Sequence, residues 1–470
     1  MAAQPSRKIN IAVIGGGIGG LAQVLALQHF CDMSQLDVHI YEAATHINQI
    51  GAGINIWERV CEMLGEIGLK EDIARLLREN ENTPWVCRKS DEKEGVPITE
   101  IVFGEAGRML LLHRADVQEL FMKHLSPEVE IHLSHRLESY SYTDAPNERI
   151  KLHFKGGDEA RCDLLIAADG VHSVVRKQLL PELAKELGNE ELNASAQPLF
   201  SGSKVYRDLV PSEDLAKLWP GHPTLVKPHI YCGKNKHIIT YPIHLGDKHF
   251  VNVVPFYTDP SKENTPFSGS QIGQATTEEV LKMYEGWEPE VQALLGCMAK
   301  PSHWAVLTLK PFETWAHNGV VLLGDAAHAM VPHIGAGACE AIEDGYVLAQ
   351  ILAYAQKKGP LEALSDETMD LYNRLRPPIA NFVHERARLQ GLFYEFNEEG
   401  ADLSLVEAGS PFYTESAEGG EEGKDGVNGN SEEAKRLAKL GYGMQDGYVW
   451  WKHSIVRETD AAVKRALGEA

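Results

Sequence analysis

Apolar runs that stop at glycine set the pattern of this chain. Lys8 to Ile14 is a nearly unbroken apolar segment that ends at Gly15, and it predicts a buried strand. Leu21 to Phe30 has helical character, and Val38 to Tyr41 reads as a second strand. Val60 to Leu77 places Leu64, Ile67, Ile73 and Leu76 at helical spacing. Glu130 to Leu133 and Arg149 to Phe154 predict short strands, and Leu164 to Ala168 predicts a buried strand running into Asp169-Gly170. From about Gln197 to Leu307 the texture changes to short alternating runs, such as Ser203 to Arg207, His237 to Tyr241 and Phe250 to Phe256. Such alternation predicts an antiparallel sheet in a second domain. Thr277 to Glu285 predicts a helix, Val320 to Leu323 another buried strand ending at Gly-Asp, and Ala338 to Tyr354 a long helix. Helical pattern resumes at Glu432 to Leu440, before the aromatic run Tyr448-Val449-Trp450-Trp451, which is expected to pack the tail onto the body.

These elements divide the chain into four expected parts. Residues 1–196 and 308–395 form one α/β domain, 197–307 an inserted sheet domain, and 396–470 a helical tail. Within the tail, residues 415–433 hold seven acidic residues, five glycines and one lysine, and are expected to be a solvated loop.

Composition narrows the function classes. The 470 residues carry 45 Lys+Arg against 67 Asp+Glu, a net charge of −22, which argues against a nucleic-acid or anionic-membrane surface. A small anionic ligand in a local basic pocket remains compatible with that balance. No run of eighteen apolar residues predicts a membrane span. The seven cysteines are scattered, odd in number and without a CxxC pair, which points to a reducing, cytoplasmic setting and away from structural zinc. His328 and His333 have no third ligand, so no metal is expected.

The glycine block satisfies G-x-G-x-x-G through Gly15, Gly17 and Gly20, between a predicted strand and a predicted helix. Gly15 makes the tight turn, Gly17 lets a pyrophosphate approach the backbone, and Gly20 lets helix and strand pack closely. The helix N-terminus favours the phosphate charge. Glu42, at the end of the second strand, suits two ribose hydroxyls. A second site, Gly324-Asp325, follows the strand Val320 to Leu323, and there the Asp325 carboxylate suits a chain of hydroxyls such as ribityl. Downstream, Gly335, Ala336, Gly337 and Ala338 form a glycine-rich approach to a helix, whose amides can stabilise negative charge on a reduced flavin ring.

Together with Asp169-Gly170, Ser173 and Arg176, the order and spacing of these motifs resemble the class A FAD-dependent aromatic monooxygenases, most closely the salicylate hydroxylase-like group with its fungal phenol hydroxylases. The likeness runs from about Ile9 to Arg388. It implies a Rossmann-like, GR2-type FAD-binding domain with an inserted antiparallel β-sheet substrate domain and a helical C-terminal tail. It also implies FAD as cofactor, NADH or NADPH as a transient co-substrate, and O2 with a small aromatic molecule as substrates. Oxygen would be inserted by a flavin hydroperoxide into an electron-rich ring. The resemblance assigns Arg114, in His113-Arg114-Ala115-Asp116, to the ribityl and pyrophosphate region. It gives Gly53, in Ile50 to Ile54, to a second FAD-adjacent loop, and Asp169 with Arg176 to FAD and the visiting nicotinamide.

Three residues are candidates for the chemistry. Arg207 follows Tyr206 on a predicted strand and matches an arginine that binds phenolate in similar enzymes. Tyr241 matches a tyrosine facing the same pocket. His333 is a candidate for orienting substrate or relaying a proton. Each has a structural alternative: an interdomain salt bridge, a core tyrosine and a loop-stabilising histidine. Two departures from the family, Asp208 after the Tyr-Arg pair and Glu58-Arg59 in place of Pro-Asn, put salicylate itself in question. A flavin epoxidase of an olefin shares every FAD motif, and a non-catalytic FAD-binding scaffold is the alternative of another class. A halogenase is disfavoured, because Trp450-Trp451-Lys452 lacks the Trp-x-Trp-x-Ile spacing. The expected assembly is a monomer or homodimer, without nucleic acid or integral membrane contact.

Overall fold

The computed structural model describes residues 7–47, 53–79, 83–103, 109–145, 147–245, 248–359, 365–400, 431–448 and 456–466. Most of the acidic 415–433 segment, the Trp450-Trp451 pair and the Ile50 to Ala52 part of the second flavin loop lie outside them.

The apolar strands assemble into a six-stranded sheet in the order Ala316–His317, Val320–Leu322, Leu164–Ala167, Ile9–Ile14, Leu36–Tyr41, Glu130–His132. All neighbours are parallel except the first pair. Parallel strands are covered on both faces, which is why Leu164–Ala167 is apolar at every position and fully buried. The helices Ile18–Phe30 and Gly337–Lys358 pack together against it. Their backbones meet where Gly345 lies against Gln23: a Cβ there would sit 2.9 Å from the Gln23 Cα.

The inserted sheet has eight strands, in the order Ile272–Gln274, Ser302–Thr308, Leu199–Pro211, Lys248–Thr258, Lys236–Leu245, His229–Gly233, Trp85–Lys89, Val96–Ile101. Its last two strands come from the first segment of the chain, so a boundary at residue 196 does not contain the whole sheet. Side chains alternate along each strand. Val251, Val253, Ile238 and Val210 face a satellite core with Leu215, Val280, Tyr284 and Val291 from the covering helices. Asn252, Tyr241 and Arg207, offset by one or three positions, face the other way, toward the parallel-sheet unit.

The Val60 to Leu77 pattern is two helices rather than one. Glu58–Leu64 and Lys70–Glu79 are separated at Ile67 and Gly68, where the Gly68 φ of 103° cannot continue a helix. The tail helix Glu432–Asp446 docks on the strand Val96–Ile101 and on the long helix Asp366–Tyr394. Tyr448 is buried, its hydroxyl 2.8 Å from that of Tyr394 and its ring against Trp57 and Phe103. Tyr448, the one residue of the aromatic run among those described, thus packs the tail onto the body.

Candidate active site

The first glycine turn has the shape its spacing predicts. Gly15 has φ 107°, and an added Cβ would overlap the Ala168 carbonyl oxygen. A Cβ on Gly20 would overlap the Gly15 carbonyl oxygen, so the helix can approach only as glycine. Gly17 borders open space, with no heavy atom within 4 Å of where a Cβ would be, and the helix that begins after it has no side-chain cap. Its first amides therefore remain available to an anion. Glu42 is preset: its Oε2 accepts the Gly16 N–H at 2.8 Å and its Oε1 the Ala44 N–H at 2.8 Å. Each oxygen keeps a lone pair for a ribose hydroxyl.

The second motif is held by a buried charge cluster. Gly324 donates its N–H to Asp344 Oδ2 at 2.9 Å, and the same oxygen lies 2.6 Å from His328 Nε2. Arg376, fully buried, reaches Asp344 at 2.7 Å, Glu340 at 2.7 Å and Glu343 at 3.2 Å. Arg59 pairs with Glu343 at 2.8 Å. Asp325 itself is exposed, beside Gly337. Burial opposes the Arg376 charge, but three carboxylates more than offset it and raise its pKa. Burial alone would lower His328; Asp344 reverses that, so His328 is raised. Glu340 is pushed up to about 7 by burial and by Glu343. Arg59 therefore braces the core, and His328 is structural, held through a carboxylate. Spacing hid the cluster, because Arg376 lies 32 to 36 residues from its partners.

Gly335 takes φ 63° and lies so close to Asn55 that a Cβ would stand 2.5 Å from the amide nitrogen. The helix beginning at Gly337 has Ala336 as its N-cap residue and no capping side chain. The Gly337 and Ala338 amides are thus free of side-chain partners at the mouth of a 22-residue helix. Arg114 opens the helix Arg114–Lys123, with Nε buried and unpartnered. Asp116 pairs with His113 instead, so an Arg114–Asp116 pair is not what holds this arginine. Gln118, one turn on, donates to the Gly16 carbonyl at 3.4 Å and ties this helix to the glycine turn.

Asp169 and Arg176 both make contacts within the fold. Asp169 Oδ2 accepts the Val174 N–H at 2.7 Å and caps the helix Val174–Leu187, while Oδ1 is buried without a partner. Arg176 is fully buried and donates to the carbonyls of Ala196, Ala326 and Val171. Its guanidinium ties three segments together.

Arg207, Tyr241 and Gly53 meet. A Cβ on Gly53 would overlap the Tyr241 hydroxyl and stand 3.3 Å from Arg207 Nη2. Tyr241 is 4% exposed and packs on Trp85. Burial raises its pKa and Arg207 opposes that. Arg207 is half-buried, and among the described residues it has no carboxylate partner. Burial lowers its pKa; Tyr241 pulls it back up and Arg114 pushes it further down. Its nitrogens donate to the side-chain oxygen of Asn252, Nε at 3.2 Å and Nη2 at 2.9 Å. Asp208, next along the strand, points elsewhere: its oxygens accept the Leu209 and Lys300 N–H groups at 2.9 and 2.8 Å.

His333 is not part of this group. Its ring lies against Gly391, 5.0 Å from His237 and 5.1 Å from Phe256. Burial, with His237 beside it, lowers its pKa to about 3, so it stays neutral near pH 7. In that state it packs the loop, with its Nδ1 buried and without a partner among the described residues.

These features suit FAD. A glycine cradle, a preset ribose acceptor, an exposed carboxylate at a strand end, an orphaned arginine nitrogen and an uncapped helix N-terminus supply the donors and acceptors that a dinucleotide with a polyhydroxyl chain needs.

Comparison with known proteins agrees. Residues 8–387 match the family described as "FAD binding domain". A salicylate hydroxylase of Pseudomonas putida is 31% identical over 408 residues, which is 85% of this chain and 89% of the relative. A 6-methylsalicylate 1-monooxygenase of Aspergillus terreus is 31% identical over 79% of this chain and 80% of the relative. A solved structure of a salicylate hydroxylase substrate complex superposes with a TM-score of 0.73 at 25% identity, covering 97% of this chain and 98% of that one. With the family match spanning most of its length and the glycine cradle formed as that family requires, this chain belongs to the FAD-dependent aromatic monooxygenases.

Proposed function

We propose that this enzyme hydroxylates a phenolic or aromatic-acid small molecule that Arg207 binds as an anion, with NADH or NADPH as reductant. The observation that carries the reading is Arg207 itself: a half-buried guanidinium beside the Tyr241 hydroxyl and the side-chain-free Gly53, with no carboxylate pair among the described residues. A guanidinium at the phenol oxygen favours the phenolate, and a phenolate ring is richer in electrons. Tyr241 is placed to hydrogen-bond the same oxygen and fix the ring.

The residues that would hold FAD are Gly15, Gly17 and Gly20 at the pyrophosphate, Glu42 at the ribose, Arg114 and Asp325 at the ribityl and pyrophosphate region, and Gly53 with the Gly335 to Ala338 backbone near the flavin ring. Bound FAD supplies the oxygen activation. The chain's own part is to bind, to orient, and to keep the guanidinium facing the ring. No helix among the described residues is long and apolar enough to cross a membrane. The unpaired cysteines support a cytoplasmic setting, and a monomer or homodimer suffices for a site built within one chain.

The test is an absorbance spectrum followed by addition of NADH or NADPH with salicylates, hydroxybenzoates and alkylated resorcinols. Flavin bands, reductant consumption stimulated by one phenol class and a hydroxylated product are expected. Flavin bands without any response to phenols would overturn the substrate reading. A colourless protein that FAD cannot reconstitute would overturn the cofactor assignment.

A further inference from the structure

We propose that Asn252 is the positioning residue that keeps the Arg207 charge available to substrate. It supplies a neutral amide at a place where a carboxylate would neutralise the arginine. This inference rests on reading Arg207 as the substrate-binding arginine, and it names what makes that arginine selective for anions.

Asn252 sits on the strand Lys248–Thr258, directly opposite Tyr241 in the antiparallel register. Directly opposed residues project from the same face of a sheet, so the amide and the phenol stand side by side. Asn252 is 1% exposed. Its side-chain oxygen takes two N–H groups of Arg207, which fixes the plane of the guanidinium. Its Nδ2 is buried and has no hydrogen-bond partner.

The same sheet shows the alternative. Arg88, on the strand Trp85–Lys89, is held by both oxygens of Glu288, at 3.0 and 2.7 Å. That fork pins an arginine and neutralises it. Aspartate is nearly isosteric with asparagine, would accept the same two N–H groups, and would put a second carboxylate oxygen where the orphaned donor stands. For stability alone, aspartate is the better residue here. The amide keeps the geometry and leaves the charge uncompensated, which is what an incoming carboxylate or phenolate needs. Stability is given up for binding, a trade commonly found at functional sites.

The experiment measures salicylate binding to the holoenzyme from its perturbation of the flavin spectrum. Wild type, Asn252→Asp, Asn252→Ala and Arg207→Ala are compared, each with a thermal melt. Asn252→Asp is expected to melt higher than wild type and to bind salicylate at least about tenfold more weakly. Asn252→Ala, which loses the orientation but keeps the charge, is expected to fall between wild type and Asn252→Asp in affinity. A purely structural role predicts the reverse order, since aspartate preserves both hydrogen bonds. Asn252→Asp binding within about twofold of wild type, or binding more tightly than Asn252→Ala, overturns the proposal. So does an Asn252→Asp chain that melts lower or fails to fold. If Arg207→Ala weakens salicylate binding while Asn252→Asp does not, only the role of Asn252 falls. If Arg207→Ala binds as wild type does, or if wild type responds to none of the salicylates, hydroxybenzoates and alkylated resorcinols, the reading of Arg207 falls with it.

Discussion

Two arginines within one chain show opposite uses of a buried charge. Arg376 is enclosed by Glu340, Glu343 and Asp344, and its pKa is raised. Arg207 has an amide for a partner and a second arginine nearby, and its pKa is lowered. Arg376 lies away from bulk water, where removing a charge from its partners is costly, whereas Arg207 is half-buried. The first cluster neutralises its charge internally, and the result is rigidity: it holds Gly324 and His328 under the motif that presents Asp325. The second has no carboxylate partner among the described residues, and on the proposed reading its charge serves the substrate. A buried arginine is thus informative about ligands only through its counter-ions.

The comparison can be broken most forcefully at Arg376. Arg376→Met takes the shared cation from three buried carboxylates, leaving Glu343 with Arg59 and Asp344 with His328, and is expected to cost about 3–5 kcal/mol, together with the bound flavin. Urea unfolding followed by tryptophan fluorescence measures it, and a loss below about 1 kcal/mol would show that the cluster is not what braces the motif. Asp325→Ala tests the residue that the cluster presents. Its carboxylate is exposed for a ligand, so the variant is expected to fold and to lose FAD on gel filtration. A fully yellow variant would remove Asp325 from the cofactor site.

Arg207→Ala sharpens the other side. Among the described residues no carboxylate pairs with its charge, so the variant is expected to keep FAD and melt near wild type while turnover falls by about 100-fold. Unchanged turnover would make Arg207 a structural residue like Arg376. The smallest effect is pH-dependent and belongs to His328. Its pKa is raised in the folded chain, so its pairing with Asp344 contributes fully below about pH 6.5 and fades as pH rises through the folded value. The melting difference between wild type and His328→Gln is expected to narrow from about pH 6 to about pH 9. A gap independent of pH would mean that the histidine carries no proton there.

What could be read from the sequence divides along the same line. The glycine turn, Glu42 and the uncapped helix at Ala336 were legible because each depends on a few adjacent residues and on glycine's conformational freedom. The pairing of Arg207 with Tyr241 was legible only through resemblance, since the two lie on different strands. Asn252 was missed: in sequence it is one polar residue in an alternating strand, like many that face water. For His333 the packing favours the loop-stabilising alternative, since Gly391 opens a slot for its ring that no local pattern shows. Asp208 and Arg59 looked like changes in the pocket, but one holds backbone amides and the other pairs with Glu343.

The sequence by itself determined the parallel strands, the two glycine–acid turns and the cofactor class, because strand burial and turn geometry are short-range properties of the chain. Only the tertiary structure decided which arginine is neutralised and which is left charged, and that strands from residues 85–101 complete the inserted sheet. Counter-ions, strand partners and the water excluded around them come from residues far apart in the chain, and a charge acquires its function from those neighbours.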